Sequence, residues 1–316
     1  DSACVAALAV RALGPKRVPI NEDGTMPAPP YAVHDNPHSW LEHFDLVFVD
    51  PPHTGYSLTA SEQARKKMLG VEGDVDALAE CIRLHLTRTQ RWSSPVYLAG
   101  ESYGTTRGAA LADKLQSLGV SLAGLILVSC AMDLQTLVFE GKNDLHYALF
   151  LPAFACVAQY HGKLKGSIGQ SAAVARAAGE AFVHEDYLQA LHQGARLPAR
   201  DKARLAKKMA ELTGLPAAFI EDHNLRIRDE DFFFELLRAE GRQVGRLEAR
   251  VTGPMGARKS RQWEFDPGSE ALMGPYTMAA NAYIGDVLGV RTDQRYEVLS
   301  MDVNKAWNWL QGENKG

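Results

Sequence analysis

The sequence lacks several features that each define a class of protein. Its 316 residues contain no uninterrupted apolar run of about 18, so no membrane-spanning helix is expected. There is no Gly-Lys-Ser/Thr phosphate-binding loop and no pair of histidines spaced as on a zinc-protease helix, so we expect neither a cofactor nor a metal. The formal net charge of −4 argues against nucleic acid as the main partner.

Cysteine is also scarce. The four cysteines are scattered, and no two are spaced as in a Cys-x-x-Cys motif, so neither a disulfide framework nor a redox motif is indicated. Cys81 and Cys130 lie in apolar stretches, which predicts free and buried thiols. No signal peptide is visible after Asp1, so these residues leave the compartment open.

The clearest functional signal is Gly-Glu-Ser-Tyr-Gly at 100–104. Strand-compatible residues 96–99 precede it, and helix-compatible residues 105–116 follow. A serine on such a sharp strand-to-helix turn needs strained backbone angles, and the flanking glycines give it room. The turn would lift the Ser102 hydroxyl off the sheet and direct the Tyr103 amide at a developing oxyanion. We predict a nucleophile elbow, and the alternative is a tight turn in an ordinary α/β sheet.

The first 131 residues show strands that alternate with helices. The apolar runs 46–49 and 125–129 predict parallel strands buried on both faces, the first one stopped by prolines. A helix is predicted over 74–89, with Asp74 as its N-cap. This alternation predicts an α/β class with a mostly parallel sheet built by right-handed crossovers.

The pattern becomes helical after residue 131. Residues 132–295 contain no further buried-strand run, which predicts a large helical cap insertion that covers the carboxyl ends of the sheet. We therefore divide the chain into a core at 1–131, a cap at 132–295 and the start of a return to the core at 296–316. The predicted cap helices are 145–160, 171–191, 201–212 and 216–224.

A serine nucleophile needs an acid and a histidine base, which follow it in that order in this kind of fold. Asp133, just after the strand 125–129, is a candidate acid or else a cap or turn residue. His53, on a loop after a predicted core strand, is a candidate base, but it precedes Ser102 in the chain and so breaks the usual order. The later histidines lie in helical sequence, which is more typical of packed or surface histidines than of a base: His146, His161, His184, His192 and His223.

Beyond the elbow, several segments resemble a known family. Asp-Leu-Val-Phe-Val-Asp-Pro at 45–51, followed by Thr-Gly-Tyr-Ser at 54–57, is similar to the serine carboxypeptidases, the S10 peptidases, and so is the elbow itself. The resemblance runs from about Ala12 to Trp309. The segment 36–40 also supports the resemblance. Segments within 143–164 and the segment 274–277 are similar to a bacterial branch of the family.

The resemblance implies an α/β-hydrolase fold and a carboxypeptidase that removes residues from the carboxyl ends of peptides or proteins. It favours a periplasmic or secreted location. Ser102 would be the nucleophile, and the Tyr103 amide would be an oxyanion donor. Glu101 would bind the terminal carboxylate of the substrate. A protonated Glu101 can donate a hydrogen bond to that carboxylate, whereas an ionised one repels it, so affinity should fall as rising pH ionises this group.

The departures from the family are equally informative. Its Asn-Gly-Gly-Pro-Gly loop would fall at or before Asp1-Ser2, and His53 replaces a glycine that is usual in the bacterial branch. No position matches the family's catalytic aspartate and histidine, which would lie beyond Trp309. We expect a chain truncated at both ends, without the last core strands and nearly inactive alone, because loss of a triad base costs on the order of 10⁶ in turnover. The alternatives are a non-catalytic relative that binds ligands, and an acyltransferase or lyase on the same fold.

Overall fold

The computed structural model describes residues 13–139, 141–255 and 265–308. They form two compact units of mixed helix and sheet. The first contains the described parts of 1–19, 28–132 and 276–316, and the second contains those of 20–27 and 133–275. The predicted cap extended to residue 295, whereas the second unit ends at Pro275. The division into a catalytic core and a cap stays a prediction.

The strands of the first unit form two small sheets. Strand β1 (Lys16–Arg17) pairs antiparallel with β2 (His34–Asp35). Strand β3 (Val96–Glu101) pairs in parallel with β4 (Leu122–Val128). A parallel pair joined through a helix agrees with the predicted α/β class.

Two helices precede this parallel pair in the sequence, α1 (Glu62–Met68) and α2 (Val71–Arg88). A third, α3 (Tyr103–Ser117), connects its two strands. Leu78 of α2 and Leu115 of α3 belong to one buried apolar cluster, which Leu98 of β3 also contacts. Val75, Leu78 and Leu86 thus form an apolar stripe along α2 that packs in this cluster. The predicted N-cap is wrong. The N-cap residue of α2 is Gly70, so the helix begins one turn earlier and Asp74 lies inside it.

The predicted strand at 46–49 is not a strand in the structure. Val47 is 56 % exposed and Phe48 is 38 % exposed, while Val49 packs against the α2–α3 cluster. Strand β4 forms, but Leu125 and Leu127 are 40 % and 39 % exposed, so its predicted burial on both faces is also wrong. Continuous apolar runs are buried where a wide parallel sheet is covered on both faces. The described parallel sheet has only two strands, so apolar side chains of β4 stay exposed.

In its described residues, the second unit contains six complete α-helices, the start of a seventh and a hairpin-like strand pair. Phe154 stacks on Phe232, with ring centroids 4.2 Å apart, and both belong to one continuous apolar core. Strands β5 (Arg242–Val244) and β6 (Thr252–Pro254) pair antiparallel. The helices are α4 (Leu145–Tyr160), α5 (Ala172–Phe182), α6 (Leu188–Gln193), α7 (Ala199–Thr213), α8 (Ala217–Asp222) and α9 (Asp229–Glu235). The first five confirm the four predicted helices, with the predicted helix 171–191 divided between α5 and α6, and α9 was not predicted.

Two further helices follow, α10 (Pro267–Ala282) and α11 (Met301–Ala306). The chain passes from the second unit to the first within α10, after Pro275. Glu297 exchanges two backbone hydrogen bonds with Gly55, at 3.0 and 3.1 Å. The Tyr296 hydroxyl donates to an Asp50 carboxylate oxygen at 2.9 Å. This segment therefore fixes the loop that follows residues 46–49.

None of the helices in the described ranges is long and apolar enough to cross a lipid bilayer. The thiols of Cys81 and Cys130 are exposed, so their predicted burial is wrong. Cys81 lies on the outer side of α2, and Cys130 follows the exposed end of β4. Cys4 lies outside the described residues.

A buried ion pair joins α2 to α3. Arg107 Nε donates to Asp74 Oδ2 at 2.6 Å, and the two side chains are 12 % and 1 % exposed. A second pair joins the same helices at the surface. Lys114 Nζ lies 2.6 Å from Asp76 Oδ1, with side chains 39 % and 54 % exposed. The first pair has lost most of its water, so removal of one partner leaves an uncompensated charge.

We expect Asp74→Asn to lower the free energy of unfolding of the first unit by about 3 kcal/mol, because it leaves the Arg107 charge buried. The matched control Asp76→Asn should cost at most about 1 kcal/mol, because its partner stays hydrated. Urea unfolding followed by tryptophan fluorescence measures both. Equal losses in the two variants would contradict the assignment of Asp74 as the buried partner.

Candidate active site

Ser102 lies at the junction of β3 and α3, in a backbone conformation that residues with a side chain rarely adopt. Its φ is 55° and its ψ is −122°. Such a conformation costs on the order of 1–3 kcal/mol and persists only where the surroundings impose it. The strand, the turn and the helix all form where the sequence predicts them. The catalytic role of Ser102 stays a prediction.

The two glycines of the motif have different roles. A Cβ atom added to Gly100 would lie 2.1 Å from the carbonyl oxygen of Gly104, so only glycine lets these backbone segments approach. A Cβ atom added to Gly104 would meet nothing within 4 Å. The spatial requirement for glycine therefore falls on the first position.

Hydrogen bonds hold the backbone of the turn on both sides. The Ser102 amide donates to the Val128 carbonyl at 3.1 Å, which extends the β3–β4 ladder by one residue. The Ser102 carbonyl accepts from the Thr105 amide at 2.9 Å. Glu101 is the last residue of β3, is half-buried and pairs in register with Val128.

The Tyr103 side chain packs beside the buried ion pair. The Arg107 guanidinium lies over its ring, 5.1 Å from the centroid, and the Trp307 ring meets it edge-on at 5.3 Å. Burial raises the pKa of the Tyr103 phenol to about 12, and the Asp74 charge acts in the same direction while Arg107 opposes it. Tyr103 is therefore uncharged at neutral pH. Its side chain can wall a site or form hydrogen bonds, but it cannot act as a base there.

The candidate acid and the early histidine both have local partners. Asp133 Oδ1 accepts from the Gln135 amide at 2.9 Å and so caps the short helix Leu134–Thr136, which is the cap alternative. His53 has a φ of 62°, and its Nε2 pairs with Thr59 Oγ1 at 2.7 Å. Burial lowers the pKa of His53, and the Arg65 charge acts in the same direction.

The later histidines have the contacts of packed or surface residues. His146 is fully buried in α4, with its ring 4.5 Å from that of Phe139, and burial lowers its pKa. His161 Nε2 pairs with the Ala249 carbonyl, and His223 Nδ1 pairs with the Phe219 carbonyl, both at 2.7 Å. His184 and His192 are exposed. The base and the acid stay unassigned.

Together these residues define an α/β protein with a serine on a strained strand–turn–helix junction. The comparisons agree with this class. Residues 7–123 match the family model of the serine carboxypeptidases, Peptidase S10. The matched region contains the elbow at 100–104 and the motif at 45–57. No curated protein and no solved structure matches the chain. The bacterial branch and the truncation stay predictions.

The sequence interpretation missed the residues that surround the elbow. Asp74 and Arg107 were not recognised as a pair, and Thr105 was not singled out. One signal was present for the pair, because Asp74 lies beside Val75 and Leu78 in the apolar stripe of α2 and a buried carboxylate needs a cation. The contact of Thr105 with Ala131 has no local sequence signal, since it joins residues 26 positions apart in the chain.

We expect Gly100→Ala to destabilise the elbow by about 3 kcal/mol or to prevent its formation, because the new methyl group meets backbone and no flexible side chain can yield. Gly104→Ala, the matched control, should change stability by no more than about 1 kcal/mol. Thermal unfolding followed by circular dichroism compares the two variants. Equal tolerance at both positions would contradict the close approach of residues 100 and 104.

Proposed function

We propose that the chain carries the nucleophile elbow of a serine-type carboxypeptidase with an α/β-hydrolase fold. Ser102 is the nucleophile in this proposal, and peptide or protein carboxyl termini are the substrates. The observation that carries the proposal is the positive φ of Ser102 between β3 and α3, within the residues that match the serine carboxypeptidase family. Ser129 also has a positive φ, so the support comes from the combination of this conformation with the strand–turn–helix position and the family match.

The reaction follows from the chemistry of such an elbow. The Ser102 oxygen attacks the carbonyl carbon of the last peptide bond, and the Tyr103 amide donates to the oxygen that becomes negative. The position of Tyr103 as the first residue of α3 supports this role, because the helix dipole places partial positive charge at the start of a helix. Collapse of the intermediate releases the terminal amino acid, and water then cleaves the acyl-enzyme.

A base must accept the Ser102 proton. No residue of this sequence matches the family's catalytic histidine or aspartate, so the proposal leaves these two roles unassigned. It therefore applies to the polypeptide that supplies them, and we expect the chain alone to react slowly.

Glu101 is the proposed group for recognition of the substrate's terminal carboxylate. It immediately precedes Ser102, it ends β3, and it is half-buried. A carboxyl in such a position can reach a substrate bound at the serine, and in its protonated form it is a hydrogen-bond donor.

Labelling with a fluorophosphonate tests the nucleophile. We expect the probe on Ser102, identified by peptide mass spectrometry, and we expect no labelling of Ser102→Ala. Ser129→Ala is the matched control, because Ser129 is exposed, lies next in register and also has a positive φ, of 52°. The chain and the longest natural polypeptide that contains it are compared. Labelling in the longer form alone supports a need for further catalytic residues, whereas no labelling in either favours the non-catalytic alternative.

A variant series tests Glu101. Glu101→Ala should raise KM for a peptide with a free carboxyl terminus by about tenfold, because it removes a hydrogen-bond donor to the terminal carboxylate, whereas Glu101→Gln keeps a donor and should stay near the wild type. The same peptide with an amidated terminus is the control, and its KM should be alike in the three proteins. A ratio of free-peptide KM to amidated-peptide KM that is the same in Glu101→Ala and the wild type would remove Glu101 from carboxylate recognition.

A further inference from the structure

The Thr105 hydroxyl bridges two backbone groups that are far apart in the chain. Its Oγ1 donates to the Ser102 carbonyl at 2.7 Å and accepts from the Ala131 amide at 2.9 Å. The Thr105 side chain is completely buried. A single hydroxyl thus joins the elbow to the segment that follows β4.

The neighbouring threonine completes this link. Thr106 Oγ1 donates to the Ala131 carbonyl at 2.6 Å, so consecutive threonines of α3 bind both backbone groups of Ala131. The chain turns at Ser129, where φ is 52°, before it reaches this point. The end of β4 is therefore fixed to the first turn of α3 by side chains of α3.

A threonine in the first turn of a helix commonly bonds to a backbone carbonyl three or four residues before it. That local bond would explain the contact of Thr105 with Ser102 alone. It does not explain the second bond, to an amide 26 positions away. The second bond uses one lone pair of the same oxygen and leaves its O–H available to donate to Ser102.

The strain at Ser102 gives this arrangement its significance. A positive φ at a residue with a side chain relaxes unless both of its peptide groups are held. The Ser102 amide is held by Val128, and the Ser102 carbonyl is held by the amide and the hydroxyl of Thr105. The Gly100–Gly104 approach provides space for the turn but donates no bond to Ser102.

We propose that Thr105 is a positioning residue for the elbow. Its hydroxyl keeps Ser102 in the strained conformation by tying the Ser102 carbonyl to the Ala131 amide, and so sets the direction of the Ser102 hydroxyl and the Tyr103 amide. The consequence for reactivity rests on the proposed function. The backbone tie itself does not, and the two parts are measured separately.

Amide hydrogen exchange of the full chain tests the tie. Thr105→Val has nearly the same shape without the hydroxyl, Thr105→Ser keeps the hydroxyl, and Thr106→Val removes only the bond to the Ala131 carbonyl. We expect Thr105→Val to speed exchange of the Thr105 and Ala131 amides by about tenfold or more, and Thr105→Ser to stay near the wild type. In Thr106→Val, the Thr105 amide should keep its wild-type exchange. Equal protection in Thr105→Val and the wild type would overturn the proposal, as would equal loss in the Ser and Val variants.

Fluorophosphonate labelling of Ser102, in the longest natural polypeptide, tests the consequence. We expect Thr105→Val to react about tenfold more slowly than Thr106→Val when both are measured at the same interval below their melting temperatures. Thr105→Ser should restore the rate. Undiminished labelling in Thr105→Val despite faster exchange would refute the positioning role. If the wild type itself is not labelled, the proposed function fails, whereas the exchange measurements still decide whether Thr105 holds the elbow.

Discussion

The backbone of Ser102 is the constraint on which the first unit depends, because it joins a strand to a helix through a conformation that is unfavourable by itself. Three parts of the structure impose it. The β3–β4 ladder binds its amide, the first turn of α3 binds its carbonyl, and Gly100 removes the atom that would collide with Gly104. These contacts join the elbow, the end of β4 and the start of α3 into one structural element.

The buried ion pair extends this element to α2. Arg107 is one turn beyond the elbow in α3, and it contacts both the Asp74 carboxylate and the face of the Tyr103 ring. The two parts of Tyr103 therefore belong to different surroundings. Its amide lies at the start of α3 beside Ser102, and its ring packs against the Arg107 cation. A charge placed in the core in this way specifies the relative position of two helices more narrowly than apolar contacts do, because its hydrogen bonds require particular atoms.

The sequence was sufficient where the determining contacts are local. The elbow motif and the apolar periodicity located β3, α3 and α4 closely, because a glycine pair and a spacing of three to four residues act within one turn. It failed at 46–49, because an apolar run reports a tendency to be buried and burial needs neighbours that local sequence does not specify. Thr105 and Ala131 could not be paired for the same reason. The acid and base of a triad meet only through the tertiary fold, so residue spacing leaves them unassigned.

The pairing of Gly55 with Glu297, reinforced by Tyr296 and Asp50, also affects how the protein is made. Asp50 and Tyr296 are 246 positions apart, and residues 133–275 of the second unit are encoded between them. During synthesis, the loop at 50–57 emerges from the ribosome long before its partner exists. The second unit, apart from residues 20–27, is one continuous stretch and can condense while translation continues, whereas the first also needs residues from 276 onward. The loop at 50–57 therefore lacks these hydrogen bonds until residues 296 and 297 have been synthesised.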